Sequence, residues 1–190
     1  MSVRSSIPES AFTDGVLHPE YHTRLLDNAD EFLKIAGIRP NFLWESSKSY
    51  CSEGEISWLK TVKTSSDAGL FVLDGSDTVP IDSCMAMAGA MLRNYIDARV
   101  MPLNTVITTA DRLREDPPAV LLIPDACTKE LSQKNIASWR IQEVSAILLE
   151  RYNSNLKTVL YSSYDGLQIT SIYGPMVWSL VENHYTQISK

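Results

Sequence analysis

Short apolar runs alternate with helical periodicities along this chain, and that alternation limits its fold more than any other feature. Gly69-Leu70-Phe71-Val72-Leu73, Val106-Ile107-Thr108-Thr109, Ala119-Val120-Leu121-Leu122-Ile123 and Thr158-Val159-Leu160-Tyr161 read as strands. Pro117-Pro118 bounds the third. Between them, Ile81, Cys84, Met85, Ala88, Met91, Leu92, Tyr95 and Ile96 recur every 3.6 residues. A helix over 129–153 carries Ala137, Ile141, Val144, Leu148 and Tyr152 on one face, and another covers 174–185. Strands that are apolar on both faces and separated by helices predict a parallel α/β sheet. The 190 residues suffice for one domain with a sizeable core.

The segment before the first strand reads as a polar tail over 1–17 and a helix running from Pro19 to Ala36. Tyr21, Leu25, Leu26, Ala29, Phe32, Leu33 and Ala36 fall at helical spacing, and Gly37 ends the run. A second, shorter helix over 52–62 carries Ile56, Trp58 and Leu59. The expected organisation is a tail and amphipathic helix in 1–36, then a core in 37–190 with no recognisable C-terminal lid. No apolar stretch is long enough to span a membrane. No apolar h-region follows Met1-Ser2-Val3-Arg4. Cys51, Cys84 and Cys127 are odd in number without paired spacing, which fits a reduced, cytoplasmic setting. A net charge of −6 opposes autonomous binding to nucleic acid.

The strand at 69–73 runs into Gly75-Ser76-Asp77-Thr78-Val79-Pro80-Ile81-Asp82 and then a helix. A phosphate-binding loop would read G-x-x-x-x-G-K-[ST] at this place. The first glycine is present, but Pro80, Ile81 and Asp82 stand where Gly, Lys and Ser/Thr belong. Such a loop works through backbone N–H groups and a cation aimed at phosphate. Pro80 removes an N–H, Ile81 brings no charge, and Asp82 adds repulsion. From the loop alone, an ordinary strand–turn–helix fits equally well.

Several segments, in order along the chain, resemble one family, the AAA+ ATPases of the DnaC/DnaI helicase-loader and IstB transposition-helper type. Ala36-Gly37-Ile38-Arg39-Pro40-Asn41-Phe42 is similar to that family's "aGIPxRF" segment. Gly69 to Asp82 matches its Walker A strand and loop, and Val106 to Leu113 its "vlFitapdLl" strand. Ala119 to Ala126 matches the Walker B run "DLLIIDDL". Leu149-Glu150-Arg151-Tyr152-Asn153 is similar to "IIneRYe", and Lys157 to Tyr164 to the sensor strand "pTIiTSNl". Tyr173-Gly174 resembles the "YG" that precedes the family's arginine. The resemblance covers about residues 35 to 180 and implies a P-loop NTPase fold. That fold is a three-layer sandwich with a central parallel sheet, here preceded by a short N-terminal helix.

The departures fall on the family's ligand groups. Pro124 replaces the Mg²⁺-binding Asp of Walker B, and only Asp125 keeps the second acidic position. Ser163 replaces the sensor Asn, and Val177-Trp178-Ser179-Leu180 holds no Arg. Phosphoryl transfer depends on a positioned Lys, a metal and a charge-stabilising Arg. The resemblance and its losses together imply a pseudo-ATPase without cofactor or metal. The expected activity is nucleotide-independent protein binding, directed at a replicative helicase, a helicase loader or a related AAA+ ATPase. A phage or mobile-element protein, or an inactive subunit of a mixed AAA+ assembly, would fit. Tyr21, Leu25, Phe32 and Leu33 form a candidate anchor strip; packing of that helix on its own domain fits equally well.

Other constellations carry less. His18 and His22 are one helical turn apart but lack a recognisable third ligand. Cys84 with His184 would make a nucleophile and base, but Cys84 lies on an apolar helix face. Asp74, Asp77, Asp82 and Asp125 could gather at the strand ends, as a solvated rim or an acidic metal site. Trp44, Trp58, Trp139 and Trp178 are scattered, as core or interface anchors are.

Overall fold

The computed structural model describes residues 3–75, 80–127 and 138–190. Their strands are β1 (Gly69–Leu73), β2 (Ala98–Val100), β3 (Val120–Cys127), β4 (Lys157–Ser162) and β5 (Tyr185–Ser189). They form one sheet in the order β2-β3-β4-β1-β5, with every neighbouring pair parallel. The helices are α1 (Ser10–Thr13), α2 (Thr23–Asp27), α3 (Ala29–Ala36), α4 (Glu53–Thr61), α5 (Ile81–Arg93), α6 (Leu103–Thr108), α7 (Ala110–Glu115), α8 (Ser138–Asn153), α9 (Gly166–Tyr173) and α10 (Pro175–His184).

Alternate strand residues serve opposite faces, so the continuous apolar runs build two cores. Leu70, Val72, Val120, Leu122, Val159 and Tyr161 face α3, α4 and α5. Phe71, Leu121, Ile123 and Leu160 face α6 to α10. Each fully buried aliphatic side chain contributes about 1.5–3 kcal/mol. This is the parallel α/β sheet expected from the alternation of elements, in the three-layer sandwich that the family resemblance implies.

Helix ends follow local chemistry. Ser52 and Glu55 form a capping box at α4, as Asp165 and Gln168 do at α9. Gly37 closes α3 at φ 68°, and a Cβ there would lie 2.7 Å from the Val100 carbonyl oxygen.

Three expectations need correction. The helix from Pro19 to Ala36 is broken: α2 starts at Thr23, and Asn28 leaves helical geometry at φ −117°, ψ 24°. The Asn28 amide donates to the Arg24 carbonyl, 2.9 Å away, a local bond that competes with helix continuation. The run Val106 to Thr109 is not a strand, because Val106 to Thr108 lie in α6 and the second strand is Ala98–Val100. Leu103, Val106, Ala110 and Leu113 are buried at helical spacing, and this burial overrides the β-propensity of the Val-Ile-Thr-Thr run. The anchor strip is not one exposed surface, since Leu25 and Leu33 are 1% and 4% exposed. Both share a core cluster with Leu70 and Met87. Of the helix expected over 129–153, residues 138–153 are helical and 129–137 lie outside the described residues.

Candidate functional site

The C-terminal ends of the parallel strands converge on the start of α5, where open α/β sheets hold their ligands. Backbone bonds tie them together: Asp74 N–H to the Ser162 oxygen, Ser163 N–H to the Cys127 oxygen, and Lys190 N–H to the Leu73 oxygen. Gly75 is exposed and Pro80 stands at the N-cap of α5. Ser76, Asp77, Thr78 and Val79 lie outside the described residues.

The protein's own groups occupy the first turn of α5. Ile81 packs against the core on the α5 face of the sheet. Asp82 pairs with Arg39, which comes from the segment similar to "aGIPxRF". Both side chains are about half exposed, so the pair itself adds at most about 1 kcal/mol. Its local consequence is larger: a carboxylate with its own guanidinium sits at the positive end of the helix dipole. Ser83 donates to the Tyr50 carbonyl at 2.8 Å, and the Cys51 thiol to the Ser83 carbonyl at 3.7 Å.

Behind this turn lies a buried polar network. Glu55 is fully buried and accepts from the Ser52 N–H at 2.6 Å, the Ser52 hydroxyl at 2.7 Å and the Tyr161 hydroxyl. Lys190 reaches in from the end of β5, with Nζ 2.8 Å from Glu55 and 3.2 Å from the Ser83 hydroxyl. Its ammonium also lies 5.5 Å from the centre of the Tyr161 ring. Burial pushes the Tyr161 hydroxyl and the Cys84 thiol well above their usual ranges, and Cys51 up to about 12. A lysine is therefore near the loop, but a buried carboxylate of the same chain holds it.

The segment similar to the Walker B run lies in β3. Pro124 lies in β3 where the β3–β4 register shifts between Ile123 and Cys127. A proline has no N–H for a sheet ladder, so a bulge is where it fits. Asp125 accepts the Leu103 N–H at 2.7 Å and so caps α6 from across the sheet edge. Burial raises its carboxyl above the usual range, and that N–H pulls it back. Asp125→Ala is expected to cost about 1–2 kcal/mol in urea unfolding, and Asp125→Asn, which keeps an acceptor, less than half of that. Equal losses for both variants would contradict the capping role. Ser163, in the segment similar to the sensor strand, ties the end of β4 to β3 through its backbone N–H, which donates to the Cys127 carbonyl.

The remaining candidates separate. Tyr21 is 60% exposed, yet its ring packs edge-on against Tyr95, whose hydroxyl bonds the Tyr21 carbonyl at 2.6 Å. Phe32 is half-buried against the core. The His22 ring accepts the His18 N–H at 2.7 Å and meets the Arg93 carbonyl at 3.0 Å, so both nitrogens serve the backbone. Cys84 is buried in the core under α5, whereas His184 stacks on Tyr152 on the other side of the sheet. Among the described residues, no group of three or more His, Cys, Asp or Glu could hold a metal. None of their helices is long and apolar enough to cross a membrane.

Sequence reasoning missed Arg39, Glu55 and Lys190. The Ser52-x-x-Glu55 spacing announces a capping box. Nothing local joins Arg39 to Asp82 or Lys190 to Glu55, because the sheet brings these pairs together from far along the chain.

No protein-family model and no curated protein matches the sequence. Among solved structures, the chain is similar to DnaI at a TM-score of 0.60 and 15% identity, over 80% of this chain and 90% of that one. It is similar to the DnaC helicase loader at a TM-score of 0.58 and 13% identity, over 78% and 98%. It is also similar to the replication initiator DnaA bound to AMPPCP and single-stranded DNA, at 0.57 and 11%, over 80% of this chain and 50% of that one. At these identities the likeness is one of architecture, and the chain has the AAA+-like P-loop fold of helicase-loader and initiator structures.

Proposed function

We propose that this chain is a nucleotide-independent binding protein on a helicase-loader fold, acting in the cytoplasm on a replicative helicase or its loader during DNA replication. The observation that carries the reading is the start of α5. The Arg39–Asp82 pair stands at the turn that would meet phosphate, and Asp125 caps α6. Pro124 and Ile81 stand where metal and phosphate would need charged ligands, and Ser163 stands where the resemblance would place an Asn. Retention of the fold without these groups supports a pseudo-ATPase that works by contact.

Size-exclusion chromatography with light scattering tests this on a mixture of the protein with its host's replicative helicase, with and without ATP. A complex of the same mass in both conditions is the expected result, and its stoichiometry separates a loader from a blocker. A complex that forms only with ATP contradicts the reading. Binding to an active AAA+ loader in place of the helicase would assign the chain to a mixed assembly as its inactive subunit.

A further inference from the structure

A second surface, away from the strand ends, has its own chemistry. A groove of about 500 Å³ runs between α4, the C-terminal half of α5 and the turn at residues 46–48. Its aliphatic lining includes Ile56, Leu59, Met91 and Ile96. Four cations, Lys48, Lys60, Lys63 and Arg93, also line it, and no carboxylate does. The whole chain carries −6, so this concentration of positive charge opposes its overall balance.

None of the four has a carboxylate partner among the described residues. Lys48, Lys60, Lys63 and Arg93 enter none of the ion pairs formed among the described residues. Lys63 donates to the Asn94 carbonyl at 2.9 Å, and Arg93 donates to the Phe42 and Leu43 carbonyls at 3.1 and 3.0 Å. Burial lowers Arg93 to about 10, with no neighbouring acid to offset it. A largely buried guanidinium without a counter-charge is costly.

We propose that this groove docks an acidic amphipathic peptide segment of a partner protein, its apolar side chains on the Ile56–Leu59–Met91–Ile96 floor and its carboxylates on the Lys48, Lys60, Lys63 and Arg93 rim. The lining favours a peptide over nucleic acid. It contains no aromatic ring on which a base could stack, and aliphatic side chains with an adaptable Met suit apolar anchors. Charge complementarity around an apolar centre is how helix-in-groove partners are selected. The inference goes beyond the helicase reading, since it fixes a surface and a chemistry and not the partner's identity.

Fluorescence anisotropy on the full chain tests it with three labelled probes. They are a peptide with leucines at helical spacing and flanking glutamates, its twin with lysines in place of the glutamates, and an oligothymidylate. Saturable binding of the glutamate peptide alone is expected, weakening with added salt. Lys60→Glu with Lys63→Glu, both at exposed positions, should weaken it about tenfold. Equal affinity of that variant, binding of the oligothymidylate instead, or no binding of the glutamate peptide would each overturn the proposal. Circular dichroism of the variant establishes that it is folded, so loss of binding reads the surface and not the fold.

Discussion

Gly89→Ala is expected to destabilise the protein by about 3 kcal/mol, although alanine is the better helix former by about 1 kcal/mol. The reason is a close approach between α5 and the Pro40–Leu43 turn. A Cβ on Gly89 would stand 2.0 Å from the Phe42 carbonyl oxygen and 2.9 Å from its carbon. The obstacle is backbone, and it cannot swing aside. Phe42 is itself 1% exposed, and its carbonyl accepts from Arg93. Relief would shift α5 off the turn, loosening the Arg39–Asp82 and Ser83–Tyr50 contacts that fix its start. Against a total stability of about 5–15 kcal/mol, such a loss is large. Urea unfolding followed by circular dichroism measures it. A variant as stable as the parent would mean that the turn and helix are farther apart than described.

Glu55→Ala should cost about 3–5 kcal/mol, because it removes the common partner of donors from Ser52, Tyr161 and Lys190 at once. Lys190 would keep its Ser83 contact but lose its counter-charge, and the Tyr161 hydroxyl would keep only the Met87 sulfur at 3.5 Å. Tyr161→Phe leaves the carboxylate with Ser52 and Lys190 and should cost about 1–3 kcal/mol. The network joins α4, β4, β5 and the first turn of α5, so its loss should also free the end of β5. Hydrogen exchange at the β1–β5 ladder reads that directly. The double variant should cost less than the sum of the two single variants, since each breaks the Glu55–Tyr161 bond. Strict additivity would show that the two side chains act separately.

The sequence announces its strands wherever they are buried on both faces. β1, β3 and β4 are continuous apolar runs, and α5 is a plain 3.6-residue pattern. β2 was misplaced because Ala98–Val100 is three residues long with an arginine at its centre, whereas Val106 to Thr109 has stronger strand propensity. Two facts decide for a helix there: Pro102 at its N-cap and Asp125 capping it from β3. Only the first is visible in the sequence. β5 offers no apolar run, since Thr186, Gln187 and Ser189 are exposed along an edge strand. The loop's departures from a phosphate-binding motif could be read letter by letter, but the contacts made there could not. Arg39 lies 43 residues from Asp82, and only the folded chain shows that a guanidinium meets the carboxylate there. The same holds for the lysine-rimmed groove, whose cations come from the turn at 46–48, from α4 and the turn after it, and from α5.

Thermal unfolding with millimolar ATP and Mg²⁺ shows whether the chain works without nucleotide. A ligand at about 100 times its Kd would add about 2.7 kcal/mol to the native state. For a chain of this length that would raise Tm by roughly 5–10 °C. The expected result is a Tm unchanged by ATP, ADP or Mg²⁺. A reproducible, saturable rise with ATP would contradict it, and would mean that the start of α5 opens to phosphate despite Arg39 and Asp82.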